Sequence, residues 1–322
     1  MKAIQMNEYG DESHLHMVDV PKPKAGKGQV VVRVLASSLN PIDLKRTSGT
    51  MKQIFPLQFP FIPGGDFSGV VDSVGDGVTT FRDGDEVFGY VSEGAAFAEY
   101  IAVDADKVAF KPKTLNHVES ASLALVAQTA LQALDRGRVD KGQIVLIHGA
   151  GGAVGSVAVQ LAHQRGAKVI GTAAATDLER VKRYGADQVI DYEKEAFENS
   201  AKDVDVVLDA VGGEVLQRSF RALMPGGVLV SIVQPPPADL ATKYHVEASM
   251  LLTEPSAHTL QKIARLVDAG EIKPFVGEVY PISEVAKGWR EGRSHHGEGK
   301  IVFQIGEGAA ASGSSRAATA SE

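Results

Sequence analysis

The sequence predicts an α/β protein that joins a β-rich domain to a domain with a doubly wound parallel sheet. In about the first 110 residues, short apolar runs recur roughly every ten residues between turn signals, as in barrels and sandwiches. From Lys141 to Ile232, apolar strands alternate with helical segments, which is typical of a parallel sheet with helical crossovers. The length of 322 residues suits two domains of the usual ~100–200 residues.

Turn dipeptides bound the candidate strands of the β-rich part. Val30–Leu35 is a β-branched run, and Gly69–Gly75 is another that closes at Asp76-Gly77. A third strand, Glu86–Gly89, follows the turn at Asp83-Gly84. No long amphipathic helix is expected before about residue 115.

The elements of the parallel-sheet domain follow in order along the chain. A segment of strong helix formers, Ala121–Leu134, predicts a helix that precedes them. The predicted strands are Ile144–Ile147, Lys168–Gly171, Gln188–Ile190, Val204–Leu208, Gly227–Ile232 and one within Val246–Glu254. The predicted helices or helical turns are Ser156–Arg165, Asp177–Tyr184, Ala196–Ala201, Gly213–Leu223 and His258–Ala269.

Two kinds of residue support the helix boundaries. Thr176 and Glu179 have the spacing of a capping box, which predicts a helix start at this point. Gly166, Gly185 and Gly226 stand where helix C-caps belong.

Composition excludes several classes of function. The 33 basic and 40 acidic residues give a net charge of −7, which disfavours nucleic acids and anionic membranes as partners. The chain has no cysteine, so disulfides, thiolate catalysis and cysteine-ligated metals are excluded. It lacks a secretory-type apolar core at its start and any apolar run of about 18 residues, so a cytoplasmic protein is expected. The final stretch, Glu307–Glu322, has no large apolar side chain and is predicted to be a disordered tail.

A glycine-rich turn carries the strongest functional signal. The strand Ile144–Ile147 runs into His148–Gly155, and a helix follows at once. Such a turn lets a diphosphate approach bare backbone, and the helix N-terminus presents N–H groups to it. A Rossmann-type dinucleotide site is therefore predicted, and its candidate residues in this turn are Gly149, Gly151, Gly152, Ala153, Val154 and Gly155. The alternative is a tight strand–helix turn that binds no ligand.

The residues after the second strand bear on the choice of dinucleotide. A carboxylate there would accept the ribose 2′-hydroxyl of NAD. The segment Thr172–Thr176 is small and neutral, and Asp177 is better placed in the first turn of the next helix. These small residues leave room for a 2′-phosphate, with Arg180 and Lys182 as candidate cationic neighbours. NADPH is the expected cofactor.

The succession of motifs resembles the medium-chain dehydrogenase/reductase superfamily, and within it the zinc-independent quinone oxidoreductase and enone (alkenal) reductase branch. The matching segments, in family order, are Ser38–Lys45, Pro63–Val71, Gly84–Gly89, Phe97–Tyr100, His148–Gly155, Asp187–Tyr192, Asp209–Gly213 and Gly299–Phe303. The resemblance implies a GroES-like catalytic domain over residues 1–113 and 272–306 and a Rossmann NADP(H)-binding domain over residues 114–271.

The same resemblance bears on zinc. Zinc-using relatives place a cysteine where this chain has Asn40 and a histidine where it has Gly65, so no metal is expected. The histidine pairs His14/His16 and His295/His296 lack the spacing of a ligand set and are interpreted as solvated. Without a Lewis acid, alcohol oxidation is a poor fit, whereas hydride addition to an electron-poor quinone or enone needs less help.

The resemblance also implies roles for individual residues. Lys45 is implied near the nicotinamide ribose, where its ammonium would donate to the substrate carbonyl or enolate oxygen; the alternative is a solvated lysine. Asn40 and Asp43 are implied to orient this loop or touch the substrate, unless they form only a structural turn. The remaining candidate cofactor contacts are Thr129, Thr172, Ala173, Ala174, Tyr192, Val211, Gly212, Ser231, Ile232 and Val233.

Thr129 and two aromatic residues have alternative roles, and one segment departs from the family pattern. Thr129 could serve helix–sheet packing instead of the nicotinamide ring. Tyr90 and Phe55 are candidates for the substrate cleft, but buried aromatic side chains of the β-rich domain are the better interpretation for both. Ala173–Ala175 lacks the serine or basic residue that relatives often carry, which weakens the argument for a 2′-phosphate.

The expected function is NADPH-dependent hydride transfer to a small-molecule quinone or α,β-unsaturated carbonyl. One alternative is a protein that binds NADPH in a structural or regulatory role without turnover. Another is an enoyl reductase acting on acyl chains. A homodimer is expected, because the apolar strand within Val246–Glu254 would leave an open sheet edge.

Overall fold

A computed structural model of the chain describes residues 1–294 and 299–306. The strands are β1 (Lys2–Gln5), β2 (His16–Asp19), β3 (Gln29–Ser38), β4 (Asp66–Val74), β5 (Glu86–Tyr90), β6 (Tyr100–Asp104), β7 (Val108–Phe110), β8 (Ile144–His148), β9 (Lys168–Ala173), β10 (Gln188–Asp191), β11 (Val204–Asp209), β12 (Leu223–Ser231), β13 (Glu247–Met250), β14 (Val276–Pro281) and β15 (Lys300–Gln304). The α-helices are α1 (Pro41–Thr47), α2 (His117–Arg136), α3 (Ala153–Gln164), α4 (Leu178–Arg183), α5 (Gly213–Ser219), α6 (Ala238–Tyr244), α7 (Ala257–Asp268) and α8 (Val285–Ser294). Short 3₁₀ turns cover Glu12–His14, Ala105–Lys107, Ala175–Asp177, Phe197–Asn199 and Ile282–Glu284.

The β-rich part of the chain folds around one mixed sheet. Its strand order is β14-β15-β3-β4-β5-β7, with β6 also paired to β3. The late strand β15 runs antiparallel to β3, with Val302 opposite Ser38. Alternate β3 residues Val30, Val32 and Val34 are buried against apolar side chains of the neighbouring strands. The chain therefore leaves this sheet after β7, at Phe110, and returns to it only at β14, which starts at Val276.

The second sheet is parallel and has the order β10-β9-β8-β11-β12-β13. β8 lies in its interior: the chain first adds β9 and β10 on one side, then crosses over to place β11 on the other. Strands of this kind are buried on both faces, and Val145, Leu146 and Ile147 are almost fully shielded. The crevice at the carboxyl ends of β8 and β11 is the switch point where ligands bind in open α/β sheets.

Helix α2 joins the two sheets. Val118 and Ala121 pack against Ala36 and Val302 of the first sheet, while Ala127 and the residues after it pack on the second. A capping box starts the helix, because Asn116 Oδ1 accepts from Glu119 N at 2.9 Å and Glu119 Oε2 accepts from Asn116 N at 3.0 Å. The predicted helix therefore exists, but it begins four residues earlier than its apolar residues indicate.

Several predicted boundaries are wrong, and each has a physical reason. The capping box predicted at Thr176 is absent, because residues 175–177 form a 3₁₀ turn and α4 starts at Leu178 without a side-chain cap. Gly226 is no helix C-cap: α5 ends at Ser219, and Gly226 lies inside β12 with a φ of 83°. Gly166 and Gly185 do follow α3 and α4, with φ of 76° and 106°.

Among the described residues, no helix is long and apolar enough to cross a membrane. The predicted disordered tail, Glu307–Glu322, lies outside the described residues, and so does the histidine pair His295/His296.

Candidate active site and its relatives

The glycine turn joins the carboxyl end of β8 to α3. Gly149 has a φ of 70°, a conformation that residues with side chains rarely adopt, and its carbonyl accepts from Gly152 N at 2.9 Å. Gly152 is the N-cap of α3 and offers no side-chain cap. The first N–H groups of this twelve-residue helix therefore face the crevice and suit an anion such as a diphosphate.

The glycines of this turn serve different purposes. A Cβ atom at Gly155 would stand 2.1 Å from Gly149 O, so only glycine allows α3 to pack this close to the turn. A Cβ atom at Gly152 would meet only Gly149 O, at 3.3 Å, and the space beyond it is open. The surrounding protein therefore does not itself require glycine at position 152. The bare backbone of Gly152 suits the approach of a ligand.

A buried histidine holds the turn from beneath. His148, the last residue of β8, lies 3.1 Å from Thr172 Oγ1 through Nδ1 and 3.0 Å from Ser219 Oγ through Nε2. Burial lowers the pKa of His148 to about 4, so the ring is neutral at physiological pH. Thr172 Oγ1 also accepts from Gly149 N at 3.4 Å. The side chain of Thr172 is therefore committed to the turn.

The other candidate cofactor contacts line the carboxyl edge of the parallel sheet. Tyr192 follows β10 and is 57% exposed, and Val211 follows β11 and is 52% exposed. Asp209 Oδ1 shapes the turn after β11 by accepting from Val211 N and Gly212 N, and its Oδ2 accepts from Ser231 Oγ at 2.8 Å. The exposed side chains of Tyr192 and Val211 therefore lie at the edge of the sheet where an adenosine would bind.

The remaining predicted contacts occupy the ends of β9 and β12. Ala173 is the last residue of β9 and is buried, and Ala174 is half-buried beside it. Ser231 ends β12 and is fully buried, and Ile232 and Val233 follow half-buried. Ala153 and Val154 form the first turn of α3 and are half-buried.

Thr129 lies on α2, next to the segment that follows β13. Its Oγ1 lies 2.7 Å from Thr253 Oγ1 and donates to Leu125 O at 2.9 Å. The segment after β13 is fastened to the same helix, because Gln132 exchanges two hydrogen bonds with the backbone of Glu254 at 2.8 and 3.0 Å. Thr253 was not predicted as a site residue, since no sequence pattern links it to a helix 124 residues away.

A buried ion-pair network lies at the start of α1, on the β-rich side. Lys300 Nζ donates to Asn40 Oδ1 at 2.5 Å and lies 3.4 Å from Asp66 Oδ2. Asp66 Oδ2 also accepts from Asn40 Nδ2 at 2.8 Å and from Ser38 Oγ at 2.6 Å, while Asp66 Oδ1 accepts from Leu125 N at 2.7 Å. Every polar atom of Asn40 is thereby engaged inside the protein. Its side chain orients the loop rather than reaching toward a substrate.

Asp43 and Lys45 follow on α1. Asn40 is the N-cap of this helix, and Asn40 N donates to Asp43 Oδ2 at 2.9 Å. Burial raises the pKa of Asp43 to about 7, and the neighbouring charge of Asp66 adds to the shift, while the Asn40 hydrogen bond, Lys300 and Arg46 oppose it. Lys45 is exposed on the same helix. The structure thus brings a buried carboxyl and an exposed ammonium within one helical turn.

The two positions where zinc-using relatives carry ligands are filled differently here. Asn40 is tied to the ammonium of Lys300, whose charge would repel a metal cation. A Cβ atom at Gly65 would stand 2.4 Å from the Tyr90 ring and 2.6 Å from Val91 O, so a histidine does not fit at this position. Tyr90 is buried, as expected, and Phe55 is half-buried in the loop after α1. Among the described residues, no group of three or more histidine or acidic side chains is placed to hold a metal.

Comparisons with known proteins show which family the chain belongs to. A family model described as alcohol dehydrogenase GroES-like domain matches residues 26–113, and one described as zinc-binding dehydrogenase matches residues 184–303. A protein from Arabidopsis thaliana named NADPH-dependent alkenal/one oxidoreductase, chloroplastic, is 34% identical over 319 residues, which cover 94% of this chain and 79% of the relative. The chain belongs to the medium-chain dehydrogenase/reductase superfamily. Within the superfamily it falls in the zinc-independent quinone and enone reductase branch, as predicted.

Two further similarities extend over almost the full length of both chains. The quinone oxidoreductase of Mus musculus is 32% identical and covers 95% of this chain and 97% of its own length. The solved structure of the quinone oxidoreductase from Coxiella burnetii is 34% identical, with a TM-score of 0.87 over 95% of this chain and 99% of that one. The predicted fold class, a GroES-like β-rich domain with a Rossmann parallel-sheet domain, is confirmed.

Proposed function

We propose that this medium-chain reductase transfers hydride from NADPH to quinones or α,β-unsaturated carbonyls. The observation that carries the proposal is the turn at Gly149–Gly155: it leaves the backbone of Gly152 bare and the start of α3 uncapped, at the switch point of a parallel sheet. The names of the relatives support NADPH as the cofactor and quinones or enones as the substrates.

The residues around the crevice fit a dinucleotide. The diphosphate would lie against Gly152 and the first turn of α3, Ala153 and Val154, with Gly149, Gly151 and Gly155 shaping the turn. Tyr192, Val211 and Gly212 would contact the adenosine side together with Ala174 and the backbone of Thr172 and Ala173, whose side chains are buried. The nicotinamide side would lie near Thr129, Ser231, Ile232, Val233 and Lys45. When bound, the cofactor supplies the hydride.

The chain's own residues have a different task, which is to handle charge and protons. Lys45 stands ready to donate to the carbonyl or enolate oxygen of the substrate, which gains negative charge as the hydride arrives. Asn40 and Asp43 fix the start of α1 and so position Lys45, through the bonds to Asp66, Lys300 and the helix N-cap. We therefore assign Lys45 as the catalytic residue and Asn40 and Asp43 as its support.

A substrate panel tests the proposed function. Purified protein is mixed with NADPH and, in turn, with a small quinone, an enone and a saturated ketone, and the loss of nicotinamide absorbance is followed. We expect oxidation with the quinone or the enone and none with the saturated ketone. Binding of NADPH, seen by its fluorescence, without oxidation by any acceptor would instead support a protein that retains the site without turnover.

Three further points stay proposals. We propose the domain division 1–113 with 272–306 and 114–271. We propose a homodimer paired through the β13 edge, since β13 is the outermost strand of its sheet and Leu252, just beyond it, is 60% exposed. The cytoplasmic location stays a prediction from the sequence.

A further inference from the structure

The carboxylate of Asp177 lies directly on the glycine turn. A Cβ atom at Gly151 would stand 2.3 Å from Asp177 Oδ2. Asp177 is the N-cap residue of α4, yet its side chain caps no N–H group of that helix. The sequence suggested a residue of the first helical turn, but Asp177 ends the 3₁₀ turn Ala175–Asp177, and its carboxylate lies against Gly151.

Asp177 neutralises the cation that stands nearest to it. Arg180 Nη2 donates to Asp177 Oδ1 at 2.5 Å and to Gly151 O at 3.0 Å. The guanidinium also lies over the Phe275 ring, 3.6 Å from its centre. Both charged side chains are only 13% exposed, so their mutual attraction is weakly screened by solvent. Arg180 is therefore held on the turn instead of extending toward a ligand.

The neighbouring strand shows the same balance of charge. Asp191 ends β10 and stands opposite Ala173, the last residue of β9. Lys194 Nζ lies 3.0 Å from Asp191 Oδ2. The adenosine ribose of a Rossmann cofactor lies at the carboxyl end of this second strand, where a carboxylate accepts the 2′-hydroxyl. A 2′-phosphate at this place would meet the carboxylates of Asp177 and Asp191. The cation beside each of them, Arg180 or Lys194, is already paired with that carboxylate.

We propose that Asp177 determines cofactor specificity: it accepts the ribose 2′-hydroxyl of NADH and weakens the binding of the 2′-phosphate of NADPH, so that the enzyme uses both. The inference rests on the proposed dinucleotide site. In the sequence, no carboxylate that could accept the ribose 2′-hydroxyl stands at the end of β9. The inference assigns this function to Asp177 instead.

Half-cofactor probes test this inference apart from turnover. The affinities of the full chain for 2′,5′-ADP and 5′-AMP are measured by calorimetry for the wild type, Asp177→Asn and Glu179→Gln. Asp177→Asn should bind 2′,5′-ADP about tenfold more tightly, because one close negative charge is removed. Its affinity for 5′-AMP should fall, because a neutral amide oxygen accepts less strongly from the ribose 2′-hydroxyl than a carboxylate does. The gain for 2′,5′-ADP should shrink as salt is added.

Glu179→Gln is the matched control, since it removes the same charge from an exposed position two residues away. It should change both affinities little. If Asp177→Asn changes the two affinities equally, or changes neither while the melting temperature shows a folded protein, the specificity role is wrong. If the Asp177→Asn variant does not fold, the Asp177→Ser variant is measured in its place. A wild type that binds neither probe would overturn the proposed function together with this inference.

Discussion

Lys45 is the proposed catalytic residue, and its role in catalysis can be separated from cofactor binding. A group that stabilises charge appearing only during hydride transfer lowers the barrier more than it stabilises the ground state. Lys45→Ala should therefore lower kcat by roughly 10²–10⁴-fold, with little change in the Kd of NADPH. The loss should be larger for enones, whose enolate needs a proton, than for quinones. Steady-state kinetics with both substrates measures it.

Two variants keep this prediction specific. Lys45→Arg should restore only part of the activity, because a planar guanidinium cannot occupy the place of a compact ammonium. Lys24→Ala removes an exposed lysine from a loop of the same domain and should leave kcat unchanged. A higher KM for NADPH with unchanged kcat in Lys45→Ala would show that Lys45 only clamps the cofactor.

Asp43 makes stability depend on pH. The carboxyl group loses its proton at about pH 4 when the chain is unfolded and at about pH 7 when it is folded. Between these values the unfolded state binds fewer protons, so the free energy of unfolding falls as the pH rises. In Asp43→Asn this fall should be smaller by about 1–4 kcal/mol, since one pKa unit corresponds to about 1.4 kcal/mol. Urea unfolding at pH 5 and 7.5 measures the difference.

Asp83→Asn, the same change at an exposed turn, is the control and should keep the wild-type pH dependence. An Asp43→Asn protein whose stability falls with pH as steeply as the wild type would contradict the raised pKa.

At the level of single residues, local patterns were predictable and distant partners were not. The glycines of the turn could be predicted from their spacing between a strand and a helix. Lys300 gave a weaker signal, a lysine at the head of the apolar strand Ile301–Phe303, and its partner Asp66 lies 234 residues away in sequence. No periodicity connects positions that meet only because β15 returns beside β3.

The turn between β8 and α3 is the element that we propose to bind the diphosphate of the cofactor. Gly152 has a φ of −75°, which any residue can adopt, and a Cβ atom there meets only Gly149 O at 3.3 Å. Gly152→Val should therefore fold, yet lose NADPH binding by at least about tenfold, because its branched side chain fills the path of the diphosphate. Fluorescence titration measures the affinity, and thermal melting confirms the fold.

Gly152→Ala provides a graded control, since its single methyl group should weaken binding less than valine does. A folded Gly152→Val protein with unchanged NADPH affinity would show that this turn is not the cofactor site.

Helix ends show where element prediction stops. The apolar composition of Ala121–Leu134 predicted α2, but the start of the helix is set by Asn116 and Glu119, one turn upstream. Conversely, Thr176 and Glu179 have the right spacing and form no cap, because Ala174 to Asp177 close a 3₁₀ turn first. Spacing identifies groups that are able to pair, while the backbone between them determines whether they do.

For the molecule as a whole, activity without a metal follows from the occupied ligand positions. Asn40 is engaged with Lys300, and Tyr90 covers Gly65. Exhaustive chelation should leave kcat unchanged, and elemental analysis should find far less than one zinc per chain. Loss of activity on chelation that added zinc restores would contradict this prediction.

Association is the second property of the whole molecule. The chain has a mass of 34.0 kDa. At micromolar concentration, light scattering after size exclusion should measure twice that mass. Leu252→Lys places a charge next to the β13 edge and should shift the protein toward the monomer. Val279→Lys, at an exposed apolar residue of the other sheet, should not. A wild-type monomer would refute the homodimer.

The late return of β15 has a consequence for synthesis on the ribosome. Asp66 is made early, but the ammonium that neutralises it belongs to residue 300, almost the last of the described chain. The parallel sheet is complete by β13 and is free to fold while translation continues, whereas β3 lacks its neighbour β15 until translation nears its end. A nascent chain stopped before Lys300 would bury a carboxylate without its counter-charge, a costly arrangement. The network of Asn40, Asp66 and Lys300 is therefore assembled last, and premature termination should yield a folded parallel-sheet part beside an open β-rich part.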